Sequence, residues 1–133
     1  FTAAELDIAV ELVTERLSRG RASGYEFILA REGDRTLGYA CFGPTPATVG
    51  SYDLYWIVVD SDQQRGGIGR QLLEQTETAI RALGGVRLYA DTSSQEKYAP
   101  TRAFYRRRGF RKAAELTDFY RVGDNKIIYE KAL

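Results

Sequence analysis

Six residues, Gln64-Arg65-Gly66-Gly67-Ile68-Gly69, stand between an apolar strand-like run and a long amphipathic helix pattern. Glycines at such a handover tolerate φ > 0 and let the backbone approach a ligand closely, so that successive N–H groups converge on an anion. A helix starting near Gly67 adds its unpaired N–H groups and the positive end of its dipole. A diphosphate suits such a site; a tight glycine turn without a ligand is the plain alternative. Two nucleotide-binding spacings are excluded. A Walker-type loop requires Lys and then Ser or Thr after its last glycine, and here Arg70-Gln71 follow. A dinucleotide fingerprint requires a glycine three residues after Gly69, where this chain has Leu72.

The chain has no histidine, which removes Ser-His-Asp and Cys-His mechanisms and histidine-ligated zinc. Proton transfer must then use Asp, Glu, Tyr, Lys, Cys, the backbone or water. The single cysteine, Cys41, forbids an intramolecular disulfide and fits a reducing, cytoplasmic setting. It lies in the apolar run Tyr39-Ala40-Cys41-Phe42 with no activating base, and reads as a buried structural thiol. Asp60 and Asp62 mark a helix entry, where acids serve the turn and the dipole, so no metal is expected. A net charge of +1 is too small to argue for nucleic acid or an anionic membrane. No apolar run approaches the roughly 20 residues that span a bilayer. The 133 residues carry no repeat and no Pro/Ser-rich linker, so residues 1–133 read as a single domain. The chain opens on Phe1 rather than Met, and an element is expected to be missing ahead of it.

The elements that must position these residues can be read in order. Thr2-Ala3-Ala4-Glu5 has the form of a capping box, and Leu6, Val10, Val13 and Leu17 follow at helical spacing. Residues 25–31 and 35–42 read as strands joined at Glu32-Gly33-Asp34, with Gly43-Pro44-Thr45-Pro46 ending the second. The near-continuous apolar run 52–59 suggests a central strand covered on both faces. Ile68, Leu72, Thr76, Ala79, Ile80 and Leu83 mark a helix over 67–83, closed by Gly84-Gly85. A short strand over 86–90 follows, then a helix opened by Pro100 and capped by Gly109, then strands over 110–116 and 126–131. The order α-β-β-β-α-β-α-β-β is mixed α/β.

Together, the loop and a second motif resemble the GCN5-related N-acetyltransferase (GNAT) superfamily. Its signature, Gln/Arg-x-x-Gly-x-Gly/Ala after an apolar strand, is matched by Gln64 to Gly69, with Ile57-Val58-Val59-Asp60 before it and Leu72-Leu73 after it. Some forty residues on, Ala103-Phe104-Tyr105-Arg106-Arg107-Arg108-Gly109-Phe110 resembles the family's helix that carries Phe/Leu-Tyr and ends at Gly-Phe. The resemblance runs from about Tyr25 to the C-terminus. It implies a central mixed, mostly antiparallel sheet flanked by helices, with acyl-coenzyme A bound at the strand-loop-helix junction. It also implies cofactor contacts from the backbone of Ile57, Val58 and Val59 and from Gln64, Arg65, Gly66, Gly67, Ile68, Gly69 and Arg70. Tyr98 stands where many relatives carry Asn, which alters one pantetheine contact.

The activity so implied is transfer of an acetyl group from acetyl-coenzyme A to a primary amine of a small molecule or peptide, by direct attack. Such transfer requires a deprotonated amine, a polarised thioester carbonyl and a proton for the departing thiolate. The resemblance gives the last role to Tyr105, whose phenol pKa of about 10 lies a little above the roughly 8.5 of a cysteine-like thiol. A core aromatic on an amphipathic helix is the alternative. A backbone N–H near Val58, where relatives have a strand irregularity, is implied for the carbonyl. Asp53, six residues before Val59 where several relatives hold a catalytic Glu, is the candidate base, and otherwise lies at a solvated strand end. Tyr52 and Tyr55 are candidates for the acceptor side, and Asp91-Thr92-Ser93-Ser94 could bring hydroxyls to the cleft. Arg106-Arg107-Arg108 with Arg111 and Lys112 read as a solvated helix face, or else meet the 3′-phosphate of the cofactor or an acidic partner. Acceptor loops are expected in 18–24, 43–51 and 116–125. The resemblance allows a homodimer through the C-terminal strands. A non-catalytic module that only binds acyl-coenzyme A is the competing reading.

Overall fold

The computed structural model describes residues 24–60 and 67–133. The expected N-terminal helix and the loop residues Gln64, Arg65 and Gly66 lie outside this range. Six strands form one sheet in the order β1-β2-β3-β4-β6-β5. They are β1 (Glu26–Glu32), β2 (Arg35–Pro44), β3 (Ser51–Val59), β4 (Arg87–Ser93), β5 (Arg111–Arg121) and β6 (Asp124–Ala132). Every neighbouring pair is antiparallel except β3 and β4. Helix α1 (Ile68–Ala82) makes the crossover between those two, and α2 (Ala99–Arg107) follows β4 after a 3₁₀ turn at Glu96–Tyr98. The architecture is therefore mixed α/β, with a mostly antiparallel sheet flanked by helices.

Period sets the core. Leu72, Leu73, Thr76 and Ile80 recur along one stripe of α1 and are buried, against Ala40 and Phe42 of β2, Leu54 of β3 and Leu88 and Ala90 of β4. Thr76 is tolerated there because its hydroxyl donates to the Leu72 carbonyl at 2.8 Å. Leu83, expected on the same stripe, is instead exposed just beyond the helix end. Glu77 is buried as well, and Lys131 of β6 donates to both its carboxylate oxygens at 3.0 and 2.9 Å. That bidentate pair ties α1 to the far half of the sheet.

Three expectations are corrected. The strand expected over 86–90 continues to Ser93, because β6 pairs with it rung by rung from Arg87↔Ala132 to Ser93↔Lys126. The segment 116–125 is not a loop: β5 and β6 run on to a tight turn at Val122-Gly123. Its polar residues satisfy a kink inside the hairpin. Asp118 has φ 56°, its N–H donates to Asn125 Oδ1, and its carboxylate accepts from Gly123 N–H. Thirdly, β3 is central but not covered on both faces. Leu54 is buried, whereas Tyr55 is 39% exposed because that side opens onto a cleft.

The position of β3 depends on one close approach. A Cβ built on Gly38 of β2 would lie 2.5 Å from the Val58 carbonyl oxygen, an obstacle made of backbone. Gly38→Ala is expected to destabilise the fold by about 1–3 kcal/mol, the usual cost of overpacking. Urea unfolding checks this; an unchanged midpoint at equal slope would remove the contact from the account.

Candidate active site

The cleft exists because β3 and β4 part company. Their ladder has four rungs, from Ser51↔Arg87 to Leu54↔Ala90, and stops there. Beyond it β3 stays paired with β2 through Val59, while β4 continues with β6. The β4-facing side of β3 from Tyr55 onward therefore carries backbone groups that no ladder uses. A bulge accompanies the split. The β2–β3 register jumps from Cys41↔Trp56 to Phe42↔Leu54, leaving Tyr55 as the extra residue. The strand irregularity thus falls at Tyr55, and the Val58 region is regular. The cleft has a volume of about 1330 Å³, and Tyr55, Ile57, Val59, Asp91, Tyr98 and Tyr105 are among the residues that line it.

Of the expected cofactor residues, Ile57, Val58, Val59 and Tyr98 line this cleft. Gly67, Ile68, Gly69 and Arg70 begin α1. Gly67 occupies its N-cap with φ 78°, supplies no side-chain cap, and no acid sits in the first turn. Among the described residues no side chain caps the first N–H groups of α1, an arrangement that suits an anion. Gly69 lies against Phe104 of α2, whose ring would be 3.3 Å from an added Cβ. That contact seats the start of α1 beside α2.

Helix α2 holds Tyr105, and its ending explains the motif. Phe110 N–H donates to the Tyr105 carbonyl at 3.0 Å and Gly109 N–H to the Arg106 carbonyl at 3.1 Å, with Gly109 at φ 92°. This is a Schellman ending, which brings the residue after the glycine back onto the one five positions earlier. The Phe110 ring accordingly lies 5.2 Å from that of Tyr105, and Tyr129 of β6 stands at 5.7 Å on the same ring. At the other end, Arg102 Nη1 donates to the carbonyls of Ser93 at 2.9 Å and Gln95 at 2.8 Å, locking α2 to the end of β4. Tyr105 is 5% exposed, lines the cleft, and its hydroxyl makes no hydrogen bond to any described residue. Burial, and next the Asp91 carboxylate, push its pKa well above that of a free phenol.

Asp53 is set back. It pairs with Gly43 and Tyr89, is half-buried, and is not among the cleft-lining residues. Burial raises its carboxyl pKa and Asp91 adds to this, while Thr45 and Lys126 pull it down. The Thr45 hydroxyl is buried outside formal hydrogen-bond geometry, yet close enough to favour the Asp53 carboxylate. Tyr55 is pushed up to about 12 by burial, Asp53, Tyr25 and Cys41. Tyr52 instead packs against the core.

Several cleft residues came from parts of the chain where the sequence offered no motif. Tyr120 of β5 and Asp124 of β6 reach the cleft from the hairpin expected as a loop. Asp124 accepts from the Ser93 hydroxyl and is 7% exposed. Asp91, expected in a loop after its strand, is a strand residue one position past the last β3–β4 rung. The basic run divides: Arg111 pairs with Glu130, Lys112 with Glu115, and Arg106 reaches the Tyr129 hydroxyl at 3.4 Å. Among the described residues no group of His, Cys, Asp or Glu could hold a metal, and no helix is long and apolar enough to cross a membrane.

The family model for the acetyltransferase (GNAT) domain matches residues 23–112. A protein of Desulfovibrio desulfuricans assigned to the GNAT acetyltransferase family is 54% identical, with 99% of this chain and 83% of that one covered and a TM-score of 0.98. A ribosomal-protein-alanine N-acetyltransferase from Brucella melitensis is 25% identical over 92% of this chain and 78% of that one, with a TM-score of 0.76. An aminoglycoside 6′-N-acetyltransferase solved with coenzyme A shares the fold at 18% identity, 91% and 87% coverage and a TM-score of 0.73. No curated protein matches the sequence. The chain belongs to the GNAT acetyltransferase family.

Cys41 is fully buried and burial pushes its thiol up to about 12. A thiol whose folded pKa is raised stabilises the fold fully below its unfolded pKa near 9, and that stability is lost as pH rises toward about 12. Tyr55 adds a like loss from 10 upward. Denaturation midpoints followed from pH 7 to 11 are expected to begin falling near pH 9 in the parent protein. In Cys41→Ala the fall is expected to start nearer pH 10; identical profiles would mean the thiol ionises freely in the fold.

Proposed function

We propose that this protein transfers an acetyl group from acetyl-coenzyme A to a primary amine of a small molecule or a peptide. The observation that carries this reading is Tyr105, a residue 5% exposed whose hydroxyl is unpartnered among the described residues, at the cleft opened by the parting of β3 and β4. Its ring is packed against Phe110 and Tyr129, and its hydroxyl is free to donate to a ligand in the cleft. Family membership supplies the ligand class, and the residues suit it. Ile57, Val58 and Val59 offer a strand side with spare backbone groups for an amide-bearing arm. The start of α1, from Gly67 to Arg70, faces an anion with N–H groups, and Gln64, Arg65 and Gly66 complete that loop in the proposed assignment.

When bound, acetyl-coenzyme A supplies a thioester whose carbonyl carbon forms a bond to the amine nitrogen as the carbon–sulfur bond breaks. Spare N–H groups of β3 beyond Leu54 polarise the carbonyl oxygen. Tyr105 donates its hydroxyl hydrogen to the sulfur, and the nitrogen loses its surplus protons to solvent or to a cleft carboxylate. Because burial lifts the phenol well above 10 while a cysteine-like thiol sits near 8.5, full transfer from the resting phenol is uphill by more than about 2 kcal/mol. Tyr105 therefore acts first as a hydrogen-bond donor that stabilises negative charge growing on sulfur. Asp53, one step behind Tyr55, serves through water or by adding to the field that favours a cationic acceptor.

Calorimetry with acetyl-coenzyme A and thiol release over a panel of primary amines test the proposal. No binding by the folded protein would end it, and binding without turnover on any amine would leave an acyl-coenzyme A-binding module in its place. Tyr105→Phe is expected to lower kcat roughly 10²- to 10⁴-fold, the range of positioned proton donors. With its pKa raised, Tyr105 stays protonated as pH rises to 10, so the kcat profile of the variant should keep the parent's shape at reduced height. A basic limb below pH 10 that vanishes in Tyr105→Phe would contradict that assignment.

A further inference from the structure

We infer that Asp91 is the acceptor-binding residue, taking the primary ammonium of an aliphatic amine in the place now held by Lys126. This deepens the proposed acetyl transfer and rests on that reading. Asp91 is the first β4 residue past the last rung shared with β3, at the apex of the cleft. Its side chain is 45% exposed, in a wall that also carries Tyr55 and Tyr120. The other cleft carboxylates are committed elsewhere. Asp124 is buried against the Ser93 hydroxyl, and Asp60 pairs with Arg35 at 3.1 Å at the opposite end of β3.

Two independent observations point to an ammonium ligand. The first is Tyr105, a nine-tenths buried phenol with no partner among the described residues, lining the same cleft. Asp91 lies near enough for its charge to raise the pKa of Tyr105, and likewise those of Asp53 and Tyr120. A cation docked on Asp91 thus lies in the cleft that Tyr105 lines. The second is Lys126 itself. Its ammonium stands 3.3 Å from Asp91 Oδ2 and 4.6 Å from the centroid of the Phe119 ring. A carboxylate beside an aromatic face is a site for an alkylammonium, and the protein fills it with its own. Because this pair is partly solvated, exchanging one ammonium for another leaves the charge balance unchanged and costs little. The stem of the acceptor then runs along Tyr55 and Tyr120, which suits an unbranched aliphatic amine.

Trp56, the single tryptophan of the chain, lines the cleft and reports on it. With coenzyme A present, n-pentylamine at pH 7.5 is expected to change Trp56 fluorescence saturably, and n-pentanol is not. Asp91→Asn should weaken pentylamine binding about 10-fold or more, the loss of one charge-assisted contact. Lys126→Gln should strengthen it several-fold by removing the competing ammonium. Acetyl-coenzyme A affinity is expected to stay within about twofold in both variants, which shows that each is folded. No saturable pentylamine binding, equal binding by parent and Asp91→Asn, or weaker binding by Lys126→Gln would each overturn the inference. Acetyl-coenzyme A binding and thiol release are measured separately, so failure here is distinguishable from failure of acetyl transfer.

Discussion

The parting of β3 from β4 after four parallel rungs is the constraint on which the rest of the molecule depends. A strand that leaves its neighbour exposes backbone N–H and C=O groups along one side, and such groups are costly to leave without partners. The fold contains that cost in two ways. The bulge at Tyr55 re-aims β3 while its pairing with β2 continues to Val59, so the strand loses one neighbour and never both. Meanwhile β4 finds its second neighbour in β6 over its whole length. Each diverging strand is thereby held from its outer side, and the wedge between them stays open. In the proposed reaction the unladdered side of β3 is completed by the ligand.

The wedge positions α2 as well. Arg102 spans the end of β4 to the first turn of the helix, and the Schellman ending at Gly109 folds Phe110 back against Tyr105. The spacing Tyr-x-x-x-Gly-Phe is thus a packing rule as much as a chemical one. The glycine supplies the left-handed turn, and the aromatic after it closes the ring cluster that fixes the tyrosine. Lys131 extends the same support beneath: it lies under Gly109, near Phe110, and holds the buried Glu77 of α1. Replacing Lys131 by a neutral residue would leave the buried Glu77 with Arg81 of its own helix, at 3.6 Å, and remove its tie to β6. One lysine therefore couples both helices to β6.

What could be read in the sequence follows from how local the determining interactions are. The β1–β2 hairpin, the α1 stripe and the cap at Gly109 are set by neighbours within a few residues, and each lies close to its expected place. The family itself was legible because its two motifs are local: a strand-loop-helix junction and one helix ending. The cleft's other wall was legible only in part. Asp91, Thr92 and Ser93 line it as the run 91–94 suggested, but Tyr120 and Asp124 join them from two further strands, through the β4–β6 and β5–β6 registers. Polar residues at Asp118 and Asn125 read as a loop, although they are the groups that satisfy a kink in a continuous hairpin. Asp53 stood out as a charge in an apolar strand, but the bulge two residues later decides which side chains reach the cleft, and a bulge leaves no trace in composition.

The same geometry divides the labour of the proposed chemistry between two electrostatic environments. Tyr105 is nearly sealed within an aromatic cluster, and burial together with the charge of Asp91 keeps its proton in place. Such a group gives little to bulk water and most to an anion formed beside it, which is what a departing thiolate is. Asp91 sits on the solvated side, neutralised by an ammonium that can exchange. Negative charge is thus permitted at the mouth of the cleft and opposed at its tyrosine until sulfur leaves. Exchanging the Lys126 ammonium for that of an acceptor leaves this balance unchanged, so Tyr105 keeps its proton whether or not an acceptor is bound. The donor is therefore set by packing and burial, and the acceptor by charge at the mouth.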